Sequence, residues 1–239
     1  MRQYIVRLAL LIAAVLVIFG IYRLVTIRPL PPSAFFTSQP GQVLRIADTS
    51  SSTEIPPYSL AALEAARAAG ADGFYLPVQL MPDGRLVALG LSGEAQPSAL
   101  GEILAAFPQM RVIVDLQEPT LRSEAALLQA VEVAGAQDRT LVIVDDQALV
   151  EVLRQQAPDL ATAYTGAETD AFLATARAGL APFYRPAAPA LILRASQLNQ
   201  RLVRAAQSRG VGVVAIAGGS GDSEALSQIG VDAIISSHP

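Results

Sequence analysis

The sequence predicts an α/β fold, a closed (β/α)8 barrel of the TIM type, and three observations predict it. Apolar β-like runs alternate with amphipathic helical runs from residue 43 to the end of the chain. The β-like runs number eight: VLRIAD (43–48), GFYLPV (73–78), MRVIVDLQ (110–117), TLVIVDD (140–146), LATAYT (160–165), PALILRA (189–195), VGVVAIA (211–217) and DAIISS (232–237). They are apolar on both faces, as parallel strands covered by helices must be, and eight βα units close naturally into a barrel. A length of 239 residues with 52% hydrophobic side chains suits one such domain and calls for no second. An open, doubly wound sheet is the alternative architecture.

Taken in order, the chain carries no charge from 8 to 22 (LALLIAAVLVIFGIY), and over 5–27 only Arg7 and Arg23 interrupt the apolar run. Long Arg side chains near the ends of a span reach the headgroups, so a transmembrane helix of the required ~20 residues fits here. A cleaved signal peptide is the rival reading, favoured by the basic start and opposed by the length of the run and the lack of an Ala-x-Ala site. The expectation is a short segment 1–4, a single-pass anchor over 5–27 and a domain on the extracytoplasmic side. Arg2 and Arg7 with the α-amino group set that orientation against Arg23 and Arg28. RPLPPSAFFTSQPGQ (28–42) is Pro-rich and without helical or strand period, which predicts a semi-extended spacer of roughly 3 Å per residue where it is polyproline-like. It is expected to lift the barrel domain, 43–239, off the bilayer. Phe35 and Phe36 within it either rest in the interface or pack under the barrel.

The stretch 59–90 shows one unit of the repeat. Leu60, Leu63, Ala66 and Ala69 recur at helical spacing, Gly70 closes the helix, and an apolar strand follows. Pro77 removes a ladder donor, so the strand is expected to end or bulge there. Residues 86–89 read as an extra short strand outside the main barrel, pairing with part of the preceding loop. Further helices are expected at 124–134, 147–156, 169–178, 197–208 and 223–228.

Composition excludes several chemistries. A net charge of -4 with no dense Arg run leaves no electrostatic footprint for nucleic acid. With no cysteine there is no disulfide, thiolate nucleophile or Cys-based metal site. With one His there is no mechanism on two imidazoles, and with every basic side chain an Arg there is no lysine Schiff base.

GADGF (70–74), PDG (82–84) and the closing GVDAIISSHP (230–239) resemble, in phrase and order, the glycerophosphodiester phosphodiesterase family. The resemblance spans about 43–239 and implies a barrel of the PLC-like phosphodiesterase type. In that family the first strand ends in His-Arg-Gly, the next loop carries Pro-Glu-Asn-Thr, strand two carries Glu-x-Asp, a His-Asp follows, and strand three carries Glu-x-Lys. A divalent cation such as calcium or magnesium sits among the carboxylates, and two histidines act as general acid and base. At the matching positions this chain has Asp48, Thr49 and Ser50; Pro56, Pro57, Tyr58 and Ser59; Tyr75 and Pro77; Gly90 and Leu91; Asp115 and Gln117. The resemblance therefore implies an inherited frame whose catalytic and metal residues are gone. A hard cation needs several oxygen ligands, and phosphodiester cleavage needs a proton donor with charge neutralisation at the phosphoryl group. Only Asp115 keeps the original chemistry, while Tyr58 and Tyr75 fill the space left by the cation and offer an aromatic wall to a small ligand.

Asp48, Tyr75, Pro77, Asp115 and Gln117 thus define a candidate degenerate cleft at the strand ends where barrel sites are built. Asp48, Asp115, Asp145 and Asp146 form a relocated acidic cluster on one reading and cap helices and loops on another. Gly218, Gly219, Ser220 and Gly221 follow the seventh strand, where barrels bind phosphate through backbone N–H groups, although Asp222 would occupy that positive helix start. Ser236 and Ser237 end the eighth strand beside that loop, and His238 lies one residue from the carboxyl end. The function expected is a membrane-anchored, ligand-binding or scaffolding pseudoenzyme without a cofactor. Its partners would be the membrane and a small phosphate-containing ligand or another envelope protein. The alternative is an active phosphoric diester hydrolase of lipid metabolism that uses the relocated acids.

Overall fold

A computed structural model of the protein describes residues 3, 4, 7, 11, 12, 15, 28–37, 42–52, 55–89, 98–219 and 221–237. The expected anchor, 5–27, lies outside the described residues except at four positions, and among the described residues no helix is long and apolar enough to cross a membrane.

Eight parallel strands form the barrel: β1 (Leu44–Ala47), β2 (Gly73–Leu80), β4 (Arg111–Leu116), β5 (Thr140–Ile143), β6 (Ala161–Thr162), β7 (Ala190–Arg194), β8 (Gly212–Ile216) and β9 (Ala233–Ser236). Their order is β6-β5-β4-β2-β1-β9-β8-β7. The ring closes between β6 and β7 by a bridge from Ala163 to Ala190 and a 2.9 Å bond from the Tyr164 N–H to the Ala190 carbonyl. Among the described residues seven helices intervene: α1 (Leu60–Ala68), α2 (Leu100–Ala106), α3 (Leu121–Val133), α4 (Gln147–Gln156), α5 (Gly166–Arg177), α6 (Gln200–Gln207) and α7 (Asp222–Ile229). Alternate residues of each strand face either the helices or the barrel interior. Leu44, Ile46, Ile113, Leu141, Ala190, Val214 and Ile235 fill the interior. Two larger apolar clusters lie outside, under the helices.

The structure corrects the reading of Pro77. Strand β2 runs through it to Leu80, with Pro77 opposite Asp115 and Val78 opposite Leu116 on β4. The reason lies in which edge the proline faces. Its carbonyl accepts the Leu89 N–H at 2.8 Å, on the side away from β4, where β1 has already ended, so the missing donor breaks no bond to β4. The extra strand β3 (Leu86–Ala88) pairs antiparallel with the prolonged end of β2 rather than with a loop. Helix α2 was not among the expected helices.

The Pro-rich segment differs most from a free spacer. Over residues 28–37 it lies across the N-terminal end of the barrel, and Ala34–Phe36 form a 3-10 turn. Phe35 is 1% exposed and plugs the interior from below, edge-on to Phe36 at 5.1 Å between ring centroids. The Arg111 guanidinium donates to the carbonyls of Phe35 (2.7 Å) and Thr37 (2.9 Å), and the Leu30 N–H donates to the Arg209 carbonyl at 2.9 Å. The approach is close enough to require glycine: a Cβ on Gly210 would come within 2.2 Å of the Leu30 carbonyl oxygen, and one on Gly212 within 2.6 Å of the Phe36 ring. Burying a phenyl ring contributes roughly 1.5–3 kcal/mol, and this outweighs the polyproline preference of an exposed chain.

Candidate functional site

The C-terminal strand ends form the mouth. Asp48 follows β1, and its carboxylate accepts the Ser50 N–H at 2.9 Å, capping the turn Thr49–Ser51. The same oxygen accepts the Tyr58 hydroxyl at 2.8 Å. Tyr58 is 6% exposed and sits at φ 57, a left-handed conformation that costs a non-glycine residue roughly 1–3 kcal/mol. Its N–H donates to the Thr49 hydroxyl at 2.8 Å, and Ser59 caps α1 through the Ala62 N–H, so the turn is held from both sides.

Tyr75 stands opposite Ile113 on β4, and strand alternation puts Asp115 on the same inner face one step further on. The Tyr75 hydroxyl donates to the Asp115 carboxylate, and Gln117 also bonds it. Burial pushes the Asp115 carboxyl above its ordinary range, the bonds from Tyr75 and Gln117 pull it back, and the negative charge of Asp145 adds to the rise. Burial likewise pushes the Tyr58 and Tyr75 hydroxyls well up, with Asp48 and Asp115 holding their protons in place. Both phenols are therefore fixed donors to carboxylates.

The other acids are engaged elsewhere. Asp145 accepts the Gly166 N–H at the start of α5, and Asp146 caps α4 through the Leu149 N–H, each at 2.9 Å. Among the described residues no three His, Cys, Asp or Glu side chains are grouped to hold a metal ion. Nor does the donor chemistry fit one: Asp48 and Asp115 carry protonated phenols, and a phenol that keeps its proton is a poor ligand for a hard cation. After β8, the Gly218 N–H donates to Asp222 at 2.8 Å, so a side-chain carboxylate already occupies the amide that an anion would use. Ser220, Gly90, Leu91 and His238 lie outside the described residues.

The structure thus brings Tyr75, Asp115 and Gln117 together, puts Asp48 with Tyr58, and threads Pro77 into the ladder. One mouth residue escaped sequence reasoning. Arg194 ends β7, is exposed, and shares the interior register of Ala190 and Ile192. Among the described residues it is the only basic one at the C-terminal end of a barrel strand, a signal that the strand assignment alone could have supplied.

Comparison with known proteins places the barrel. No family model matches the sequence, and no curated protein does. Solved structures of glycerophosphodiester phosphodiesterases match closely in fold. A protein of Silicibacter pomeroyi DSS-3 ascribed to the glycerophosphoryl diester phosphodiesterases superposes with a TM-score of 0.68 at 18% identity, covering 86% of this chain and 93% of its own. The glycerophosphodiester phosphodiesterase of Agrobacterium tumefaciens gives 0.66 at 16% identity, covering 83% and 96%. A phosphodiesterase of Oleispira antarctica, solved with its product sn-glycerol-3-phosphate, gives 0.65 at 17% identity, covering 87% and 96%. At such identities the likeness establishes the barrel and leaves the reaction to the residues at the mouth.

Proposed function

We propose that this chain is a barrel of the glycerophosphodiester phosphodiesterase fold, held at a membrane by residues 5–27, that has given up phosphodiester cleavage and binds a ligand or partner at its mouth. The observation that carries the reading is the pair of tyrosine–carboxylate bonds, Tyr58 to Asp48 and Tyr75 to Asp115. They occupy the carboxylates on which a divalent cation would have to be built. A phosphodiester also needs a proton donor poised near working pH, and hydroxyls pushed far upward are not that. The ligand class that suits the fold and the mouth is a small phosphate-containing molecule, with Arg194 as the cation nearest to hand. Docking of another envelope protein on the mouth or the outer helices is the other use of the same surface. The domain lies on the extracytoplasmic side in this reading.

The test is direct. Full-length protein in detergent, given calcium or magnesium and glycerophosphodiesters, is expected to release no glycerol 3-phosphate. Turnover that disappears in Asp115→Ala would overturn the proposal and restore the hydrolase with relocated acids.

A further inference from the structure

The docked strap says which end of the barrel faces the bilayer. Leu30 is bonded to Arg209 on the N-terminal end of the barrel, and the apolar run ends at residue 27. Three residues of fully extended chain span at most ~10 Å, so the end of that run is leashed directly beneath the barrel. Exposed apolar side chains ring both ends. Leu60, Met81, Leu121 and Ile216 surround the mouth, while Val133, Leu180 and Phe183 lie at the far end, where α3 and α5 terminate. Exposure by itself therefore chooses neither end; the leash does. A cavity of about 670 Å³, lined in part by the strap at Pro31 and Ser33 and by Asp138, Pro158, Ala187 and Pro189, opens at the same end of the barrel. Exposed charge at this end leans basic, with Arg28, Arg45, Arg177 and Arg185 against Glu132, Asp138 and Asp159, so headgroup phosphates add to the contact that the apolar side chains make.

We infer that the barrel stands on the bilayer with its N-terminal end down, Val133, Leu180 and Phe183 in the headgroup layer, and its mouth turned into the aqueous phase. This rests on the anchor reading above. It also deepens that reading, because a mouth facing away from its own membrane takes a water-soluble ligand or partner and not the headgroups beneath it.

The chain has no cysteine, so single-cysteine variants carry one label each. Full-length Val133→Cys, Leu180→Cys and Phe183→Cys report on one end, and Met81→Cys and Leu121→Cys on the mouth. Each is labelled with a polarity-sensitive fluorophore in phosphatidylcholine vesicles that contain headgroup spin-labelled lipid. Quenching is expected to be several-fold stronger at 133, 180 and 183 than at 81 and 121; equal or reversed quenching overturns the inference. Carbonate extraction of the same vesicles separates the two failures. Protein that is extracted removes the anchor and the inference together, whereas protein that stays but quenches at the mouth removes the inference alone. Val133 is 82% exposed, so its replacement tests position without disturbing the core.

Discussion

At the N-terminal end of the barrel the closing group is a phenyl ring, Phe35, buried among aliphatic side chains, with a guanidinium tying down its own carbonyl and that of Thr37. At the mouth the closing groups are two phenols whose hydroxyls rest on carboxylates. The first arrangement gains from leaving water whatever the pH. The second keeps partly desolvated carboxylates in place, so its contribution depends on their charge. The Phe35 stopper serves stability, whereas the mouth retains groups that stability by itself would replace.

The comparison breaks most readily at Phe35. Phe35→Ala is expected to cost about 3–5 kcal/mol in urea denaturation, equally at every pH where the fold persists. A loss below about 1 kcal/mol would mean that the strap is not part of the cooperative unit. Arg111→Met removes both ties to the strap and is expected to cost about 1.5–3 kcal/mol, with faster proteolysis in residues 28–37 as the second readout.

At the mouth, Tyr75→Phe takes a donor from Asp115 and is expected to cost about 1–3 kcal/mol at neutral pH. The sign follows from linkage. Burial holds the Asp115 carboxyl above its unfolded value, so folding takes up a proton and stability is lost as pH rises through the unfolded and then the folded value. Losing the Tyr75 bond raises the folded value further. The cost of Tyr75→Phe should therefore fade as pH falls through the raised folded value and be gone by the ordinary Asp value, about pH 3.9, whereas a pure packing loss would not. The smallest effect is a gain. Glu124, in the first turn of α3 on the mouth side, is 4% exposed, neither carboxylate oxygen has a partner, and burial raises its pKa. Glu124→Leu should stabilise the protein by about 1 kcal/mol at pH 7, measured as a shift in Tm, with a smaller gain below about pH 4, where the carboxyl is protonated folded and unfolded alike.

What the sequence revealed and hid divides along the same axis. Strands with both faces buried must be continuously apolar, so VIVDL or GVVAI announces itself, and βα alternation then dictates the ring. Even so, β6 keeps only Ala161–Thr162 of its expected six residues, because beyond them the chain bonds as an isolated bridge. The strap was hidden because its partners are remote: Phe35 meets Arg111 across 76 positions. The mouth bonds were hidden for the same reason, since Tyr75 reaches Asp115 across 40 positions and only because β2 and β4 fall in one register. Substitution against the family pattern pointed to both tyrosines as space-fillers, but not to the carboxylates that receive their hydroxyls. Helix α2 has only seven residues, too few for a period to stand out.

The docked strap also fixes where a shortened protein should begin. Starting at Val43 would leave β1 intact yet strip away the stopper, exposing Leu44, Ile46 and Val214 to solvent through an open floor. Starting at Arg28 keeps the floor closed, and a soluble domain for solution work should be cut there.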